Sequence, residues 1–217
     1  MTEFIEPKDD RQAISDETNH RVANSFQMIG SLVARRARNS ASAEVRTELL
    51  AVGSAVAAME SAHRHLYEGH ADTIELCRYL QDLVSSVAAY APLVSEVKVI
   101  FDNRGAHSVI IPEHTASRLG LIVSELLTNS IKYAGIGATC CASVDVDGDH
   151  LLVEVSDNGP GFARLPGASS GLKIVTALVS SLKGVLCFTS DTTGPRFSIR
   201  IPLALGAVQV NALSAKM

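Results

Sequence analysis

Residues 16–36 read DETNHRVANSFQMIGSLVARR, and this stretch decides how the chain begins to fold. Its apolar residues recur at intervals of four, three and four, which predicts one buried face of an α-helix. Those residues are Val22, Phe26, Ile29 and Val33. Another face carries His20, with Glu17 one turn before it and Asn24 one turn after it. The stretch therefore predicts a helix that presents a carboxylate, an imidazole and an amide beside a buried seam.

Composition places the chain among globular proteins. It has 217 residues, of which 47% are hydrophobic and 19% charged, so a substantial core is expected. No uninterrupted apolar run reaches the roughly 18 residues that span a bilayer, and the first ten residues are acidic, unlike a signal peptide. We therefore expect a soluble cytoplasmic protein that does not bind membranes. The net charge of −4 argues against nucleic acid as a partner.

The first 68 residues predict a helical hairpin. One helix is expected over residues 12–38, and the small polar segment 39–44 predicts a short connection to a second helix. That second helix has a seam with four-three spacing, typical of coiled-coil packing. The seam consists of Val45, Leu49, Val52, Val56, Met59, His63 and Leu66. Because one hairpin leaves such a seam half exposed, we expect a homodimer that forms a four-helix bundle.

Residues 69–217 alternate between short β-branched segments and amphipathic helices, which predicts a second domain. Strands are expected at residues 97–102 and 108–112, followed by a β-hairpin that turns at Gly148 and by two strands at the end of the domain. Helices are expected from residue 76, over residues 114–134 and over residues 171–183. The predicted fold class is α+β. It consists of an N-terminal helical hairpin over residues 1–68, followed by a two-layer α/β sandwich over residues 69–217.

The long helix of the second domain contains the segment ELLTNSIKY, residues 125–133. Helical spacing places Glu125, Asn129, Lys132 and Tyr133 on adjacent turns. Mg²⁺ prefers oxygen ligands and keeps several waters, so an amide oxygen would bind it directly while a carboxylate orients a water. A lysine nearby would neutralise phosphate charge. The segment predicts a site for Mg²⁺ and phosphate, although a solvated polar face of a buried helix would have the same residues.

Glycine-rich segments follow two elements of this domain. Residues 157–162, DNGPGF, come directly after a predicted strand, and their glycines allow a tight turn and a close approach to a ligand. The Asp157 carboxylate at the end of that strand would accept a hydrogen bond from an adenine amino group. Residues 169–173, SSGLK, open a helix whose first amides would receive phosphate oxygens. Both segments are consistent with a nucleotide site.

Two sets of motifs resemble known families. Residues 19–27, with the pattern N-H-R-V-x-N-x-x-Q, resemble the phosphoacceptor box of one subfamily of sensor histidine kinases, whose members carry H-R-V-K-N. The ordered motifs E-L-L-x-N, D-N-G-P-G, S-x-G-L-K-I-V and G-x-R-F-x-I-x-x-P resemble the nucleotide-binding boxes of the histidine-kinase branch of the GHKL ATPase superfamily. Together they span about residues 13–203. The resemblance implies a protein-histidine kinase.

The resemblance also implies a role for each matching residue. His20 would accept the γ-phosphoryl group of ATP and pass it to an aspartate of a response-regulator receiver domain. Asn129 would bind Mg²⁺, with Glu125 as its polar partner. The remaining nucleotide contacts would be the phosphate-binding Lys132 and Tyr133, the adenine-reading Asp157, and the backbone at Gly159, Gly161, Gly171 and Leu172.

The sequence departs from the family pattern at the ATP site. Pro195 occupies the position of a usual threonine, and only seven residues separate Phe162 from Ser170, which implies a short lid over the nucleotide. Two alternatives therefore stay open. One is a histidine phosphotransfer or phosphatase protein with a degenerate ATP domain, and the other is a regulatory interaction module of the GHKL type. In each case a separate sensor protein is the expected source of any input signal.

Overall fold

The computed structural model of the chain describes residues 10–69, 73–93, 95–104, 109–160 and 170–203. Within the helices of these segments, the side chains of residues 10–21, 62, 65–69, 90, 93 and 170 are outside the description.

The first described segment is a helical hairpin. Helix α1 spans Asp10–Asn39 and helix α2 spans Ala43–Gly69. Ser42, in the connection between them, caps the N-terminus of α2. Its Oγ accepts a hydrogen bond from the backbone N–H of Val45 at 3.3 Å, as is usual for a helix N-cap. This arrangement confirms the predicted pair of helices with a short polar connection.

The other described segments form two sheets and three further α-helices. In chain order the elements are β1 Thr73–Glu75, α3 Leu76–Tyr90, a 3-10 turn Ala91–Leu93, β2 Lys98–Asn103, β3 Ile110–Pro112, α4 Glu113–Tyr133, β4 Thr139–Asp147, β5 His150–Asp157, α5 Ser170–Ser181, β6 Val185–Asp191 and β7 Gly194–Pro202. Strands β1 and β3 form a small antiparallel pair, and the main sheet has the order β2-β4-β5-β7-β6. Strands β2 and β4 are parallel, and the other neighbours in the main sheet are antiparallel.

One core joins the main sheet to the helices. Along β5 buried residues alternate with half-buried ones, as expected for a sheet covered on one face. Leu151, Val153 and Val155 lie in the same core as residues of α3, α4 and α5. On the opposite face, Glu154 accepts hydrogen bonds from Arg104 at 2.7 Å and Ser198 at 2.8 Å. The α+β fold with a two-layer sandwich is confirmed.

Packing within the hairpin differs from the predicted seam on α1. The face that is buried in the chain contains Gly30, Val33 and Ala37, which are small enough to let α1 approach its neighbours closely. Val33 was expected to be buried and is, but Ile29 is 41% exposed, so its predicted burial within the chain is wrong. The physical reason is that α1 turns its small residues, and not Ile29, toward its neighbours in the chain.

The seam predicted on α2 is largely uncovered. Val45, Val52 and Met59 each expose nearly half of their surface. The stripe of α2 that the chain itself buries is a different one, composed of Thr47, Leu50, Gly53, Ser54, Ala57, Ala58 and Ser61. The homodimer that would cover the first seam stays a prediction.

None of the described helices has both the length and the hydropathy that crossing a lipid bilayer requires.

Candidate active site

Three segments meet at one end of the sandwich. They are the carboxyl end of α4, the turn that follows β5, and the turn between β6 and β7. The side chain of Asp157, the last residue of β5, lies among them and is 6% exposed. Residues that are far apart in sequence are therefore brought together around one buried carboxyl group.

Two donors hold the Asp157 carboxyl group in place. Its Oδ1 accepts the backbone N–H of Gly159 at 3.0 Å, and the Ser130 hydroxyl forms a side-chain hydrogen bond with it. Burial raises the pKa of Asp157 above its ordinary value, and these two hydrogen bonds oppose the rise. A buried carboxyl group that is fixed from two sides can recognise a donor on a ligand with a defined geometry.

Glycines permit the close approach of these segments. A Cβ at Gly159 would lie 2.5 Å from the main-chain oxygen of Ala134, at the end of α4. At Gly194 a Cβ would overlap the main-chain oxygen of Asp157, and φ is +110°, a conformation that strongly favours glycine. Both glycines are thus required by the packing of the turns around Asp157.

Asn158 fastens the turn after β5 to the neighbouring strand. Its Oδ1 accepts the backbone N–H of Thr139 at 2.7 Å, and its own N–H donates to the Thr139 carbonyl at 3.2 Å. This reciprocal pair lies at the first residue of β4. The turn that follows Asp157 is therefore held by side-chain and backbone bonds together.

Glu125 lies on α4 facing the start of α5. A Cβ at Gly171 would overlap Glu125 Oε1, so glycine at position 171 leaves room for the carboxyl group in its observed conformation. Burial raises the pKa of Glu125, and the charge of Glu48 on α2 raises it further. Glu125 and Gly171, which were predicted separately as site residues, thus lie against each other in the structure.

The last turn of α4 carries the other predicted nucleotide contacts. Asn129 is half-buried, and Lys132 is exposed with its Nζ 5.3 Å from the centroid of the Tyr133 ring. The Tyr133 ring is itself 47% exposed. Leu172, by contrast, is buried in the core, so its side chain is structural. Gly161 lies outside the described residues.

The predicted acceptor segment lies on α1. The backbone of Glu17 and His20 is helical, while their side chains are outside the described part of the chain. Asn24 lies one helical turn beyond His20 and its side chain is exposed. The helix thus preserves the spacing of the three residues on which the acceptor prediction depends.

Sequence reasoning missed three residues that shape this site: Ser130, Asn158 and Gly194. Ser130 directly follows Asn129, and a serine in the buried part of a helix needs a partner, which was the available signal. Asn158 and Gly194 were part of recognised motifs but carried no assigned role. Their function depends on contacts between β4, β5 and β7, which spacing along the chain does not reveal.

Each of the two parts of the chain matches a known protein family. Residues 17–91 match the family described as "Histidine kinase", and residues 114–205 match the family described as "Histidine kinase-, DNA gyrase B-, and HSP90-like ATPase". Together the two matches indicate a histidine kinase catalytic core with an ATPase domain of the GHKL class.

Individual relatives agree with these families. The chain is 30% identical over 203 residues to Blue-light-activated histidine kinase 2 of Erythrobacter litoralis, a match that covers 87% of this chain and 56% of that protein. It is 23% identical over 208 residues to Blue-light-activated histidine kinase 1 of the same organism, covering 89% of this chain and 54% of that one. The chain thus spans little more than half the length of these relatives.

Solved structures show the same fold. The histidine kinase domain of a blue-light activated histidine kinase from Erythrobacter litoralis superposes with a TM-score of 0.64 at 24% identity, covering 85% of this chain and 95% of that domain. A longer structure of such a kinase has a TM-score of 0.63 at 26% identity, covering 95% of this chain and 63% of the other. The fold is that of a histidine kinase catalytic core.

Proposed function

We propose that this chain is the core of a two-component histidine kinase, which autophosphorylates His20 from Mg-ATP and passes the phosphoryl group to an aspartate of a response-regulator receiver domain. The observation that carries this proposal is the approach of α4, the turn after β5 and the turn between β6 and β7 around the buried Asp157, in the same chain as the acceptor helix. Residues 1–68 supply the acceptor and the dimer contact, and residues 69–217 bind ATP.

The nucleotide site divides into an adenine end and a phosphate end. Asp157 accepts the adenine amino group, and the backbone of Gly159 lies against the base. The same role is proposed for Gly161 from its motif alone. The start of α5, at Gly171 and Leu172, supplies amides for phosphate oxygens, because the first amides of a helix have no partner within it. On the last turn of α4, Lys132 neutralises phosphate charge and Tyr133 flanks it.

Mg²⁺ fits this set of residues as a partner of the phosphates. Among the described residues no group of three or more His, Cys, Asp or Glu side chains could enclose a metal ion. A nucleotide-bound Mg²⁺ needs only one or two protein oxygens, because phosphates and waters complete its shell. Asn129 supplies one oxygen, and the half-buried Glu125 on the preceding turn orients a water. The ion supplies charge neutralisation at the phosphates.

The acceptor chemistry follows from the ordinary properties of imidazole. With a pKa near 6.5 the ring is substantially neutral at neutral pH, so one nitrogen has a free lone pair. A bond forms between that nitrogen of His20 and the γ-phosphorus while the bond from phosphorus to the departing ADP oxygen breaks. The proton on the other ring nitrogen passes to Glu17, one turn away.

The surface of the hairpin supports the proposed homodimer. Large hydrophobic side chains are exposed on both of its helices, and such clusters commonly mark protein interfaces. They are Met28, Ile29, Leu32, Val45, Val52 and Met59. Side-by-side packing of two hairpins into a four-helix bundle would cover them. A sensor protein or domain that supplies the input would act on this assembly.

Incubation with ATP labelled in the γ-phosphate tests the function. We expect label on the protein that survives base and is lost in acid, as a phosphoramidate bond requires, and transfer of that label to a receiver domain. A nucleotide-binding protein that never becomes labelled would instead match the regulatory module. A protein that accepts phosphate only from a phosphorylated receiver would match the phosphotransfer protein.

A further inference from the structure

Strand β6 forms one edge of the main sheet. It pairs with β7 on one side, and among the described residues no strand pairs with its other side. An unpaired edge presents backbone N–H and C=O groups to which a further strand can bind. The register with β7 is continuous over all seven residues of β6, so no β-bulge turns this edge away from a partner. β6 is therefore an uninterrupted edge that can extend the sheet.

The side chains of β6 do not protect this edge. Edge strands commonly carry charged residues or proline, which oppose pairing with another chain. Strand β2, at the other edge of the sheet, has the exposed Lys98 and Asp102, and Asp102 is paired with Arg104 at 3.0 Å. The residues of β6 are V-L-C-F-T-S-D, so its single charge is that of Asp191 at the end. Of the two edges, β6 is the one that lacks such protection.

The apolar side chains of β6 are incompletely covered. Leu186 and Phe188 pack against the core, yet both are only half-buried. On the opposite face of the strand, Val185 is 60% exposed and Cys187 is exposed. A further strand along β6 would remove apolar surface from water on both faces, which stabilises such a contact.

The sequence of β6 is complementary to itself. In an antiparallel pair of two β6 strands centred on Cys187, Val185 lies opposite the partner's Thr189, and Leu186 lies opposite the partner's Phe188. These combinations of β-branched, aliphatic and aromatic side chains suit cross-strand positions. Lys183 and Asp191 are both exposed and both four residues from Cys187, so the same pairing brings opposite charges together at each end.

A shift of the centre by one residue removes this complementarity. With Phe188 at the centre, Val185 would lie opposite the partner's Asp191, and Leu186 opposite the partner's Ser190, so apolar side chains would meet polar ones. With Leu186 at the centre, residues 188–191 would lie opposite residues 181–184, which precede the strand. The pattern of side chains therefore specifies the register centred on Cys187.

We propose that the edge of β6 is an interface between two copies of this chain, in which the two β6 strands pair in the antiparallel direction about Cys187. A twofold axis through this residue lets the same surface of each copy bind the other. This pairing does not depend on the kinase function.

The size of the contact determines when it forms. One seven-residue edge buries less than the roughly 1,200–2,000 Å² of a stable interface, so the contact is weak. At micromolar concentration the copies remain unpaired along this edge, and pairing requires a high local concentration. The edge is also separate from the exposed hydrophobic residues of the hairpin, so it would link hairpin dimers into larger assemblies.

Oxidation of Cys187 tests the pairing. Residues that lie opposite each other in antiparallel strands have Cα atoms about 4.5–5.5 Å apart, a distance that a disulfide spans. Cys187 is exposed, whereas Cys77 and Cys140 are buried and Cys141 is half-buried. We expect the full chain, oxidised with copper phenanthroline at high protein concentration, to form a covalent dimer. If Cys187→Ser forms that dimer equally well, the proposal is wrong.

The register supplies a matched control. In the Cys187→Ser background, Val185→Cys alone leaves the two thiols four residues apart along the strands, about 13 Å, so we expect cross-linking to be almost lost. Addition of Thr189→Cys places a thiol opposite each Cys at position 185 and should restore the covalent dimer. Cross-linking of Val185→Cys alone at the rate of the native chain would indicate random collisions and overturn the proposed pairing.

Charges at the same two positions give a second measurement. Val185→Lys combined with Thr189→Lys places like charges opposite each other, and we expect cross-linking through Cys187 to slow by roughly fivefold or more. Val185→Lys combined with Thr189→Glu places opposite charges there and should restore the native rate. Both positions are exposed, so the fold tolerates either pair. Equal rates in the two variants would contradict the pairing. Absence of a covalent dimer in the native chain at every concentration would refute the interface and leave the proposed kinase function untouched.

Discussion

The backbone of Gly194 lies against the main-chain carbonyl of Asp157, so closely that a Cβ at position 194 would overlap the carbonyl oxygen. This contact joins the turn between β6 and β7 to the end of β5, the strand that carries the buried carboxyl group. The position of Asp157 thus depends on a glycine 37 residues later in the chain, counted as 194 minus 157.

Gly194→Ala should destabilise the protein and weaken ATP binding. The added methyl group overlaps the Asp157 carbonyl, and the φ of +110° is strained for alanine, a cost of about 1–3 kcal/mol before the overlap is counted. Urea unfolding and titration with a fluorescent ATP analogue measure the two effects. Gly148→Ala is the matched control, because Gly148 also has a positive φ but no atom near its Cβ position. If Gly148→Ala reduced stability and ATP binding as much as Gly194→Ala does, the contact between residue 194 and the Asp157 carbonyl would not be the cause.

Ser130→Ala should shift the pH dependence of ATP binding. The ionised form of Asp157 accepts the adenine amino group, so affinity falls as the pH drops through the pKa of Asp157. Burial raises that pKa and the Ser130 hydrogen bond opposes the rise; without the hydroxyl the pKa rises further, and affinity is lost at a higher pH. Binding titrations across the acidic range measure the shift.

Ser124→Ala is the control for this experiment. Ser124 is also buried on α4, but its hydroxyl donates to the Leu121 carbonyl at 3.0 Å and not to Asp157. A uniform loss of affinity at every pH in Ser130→Ala would indicate a purely structural role.

His20→Ala should abolish autophosphorylation and leave ATP binding intact. The acceptor lies on α1, and the nucleotide site is formed by α4, α5 and the main sheet. Labelling with γ-labelled ATP and nucleotide titration separate the two properties. His114→Ala removes an exposed imidazole elsewhere and should be labelled normally. Persistent labelling of His20→Ala would mean that another residue accepts the phosphoryl group.

Asn24→Ala should slow the loss of phosphate from the receiver domain while leaving His20 labelling largely unchanged. The exposed amide lies one turn from the acceptor, where it would orient an attacking water without being consumed. The decay of phosphorylated receiver in the presence of each variant measures the effect. Ser31→Ala, an exposed substitution on the same helix, is the control. Collapse of His20 labelling in Asn24→Ala would assign the amide to the kinase step.

Val52→Asp should shift the protein from dimer to monomer. Val52 is 48% exposed in the single chain, so the charge costs little in the fold but would be desolvated between two hairpins. Light scattering at micromolar concentration measures the mass. Val185→Asp adds the same charge to an exposed valine of β6 and should leave the mass unchanged. An unmodified chain that is already monomeric would contradict the four-helix bundle.

The sequence by itself determined the elements and the identity of the ordered motifs. Helix α1 and the segment 125–133 could be predicted because helical periodicity and spacing are local properties. The turn at Gly148 between β4 and β5 was also predictable, since short glycine turns between β-branched runs specify a hairpin. The motifs for Asp157 and Asn129 were recognisable for the same reason, as each lies within a few consecutive residues.

The tertiary structure alone decided which residues meet. Ser130 and Gly194 act on Asp157 through contacts between three segments, and no pattern of spacing encodes such an approach. The same holds for α2, where the predicted seam at Val52 is left open and the chain instead buries the small residues around Ser54. Two amphipathic faces compete on that helix, and periodicity does not rank them. Packing decides between them, because only the face with small side chains lets Tyr79 and α4 approach the backbone closely enough to form hydrogen bonds.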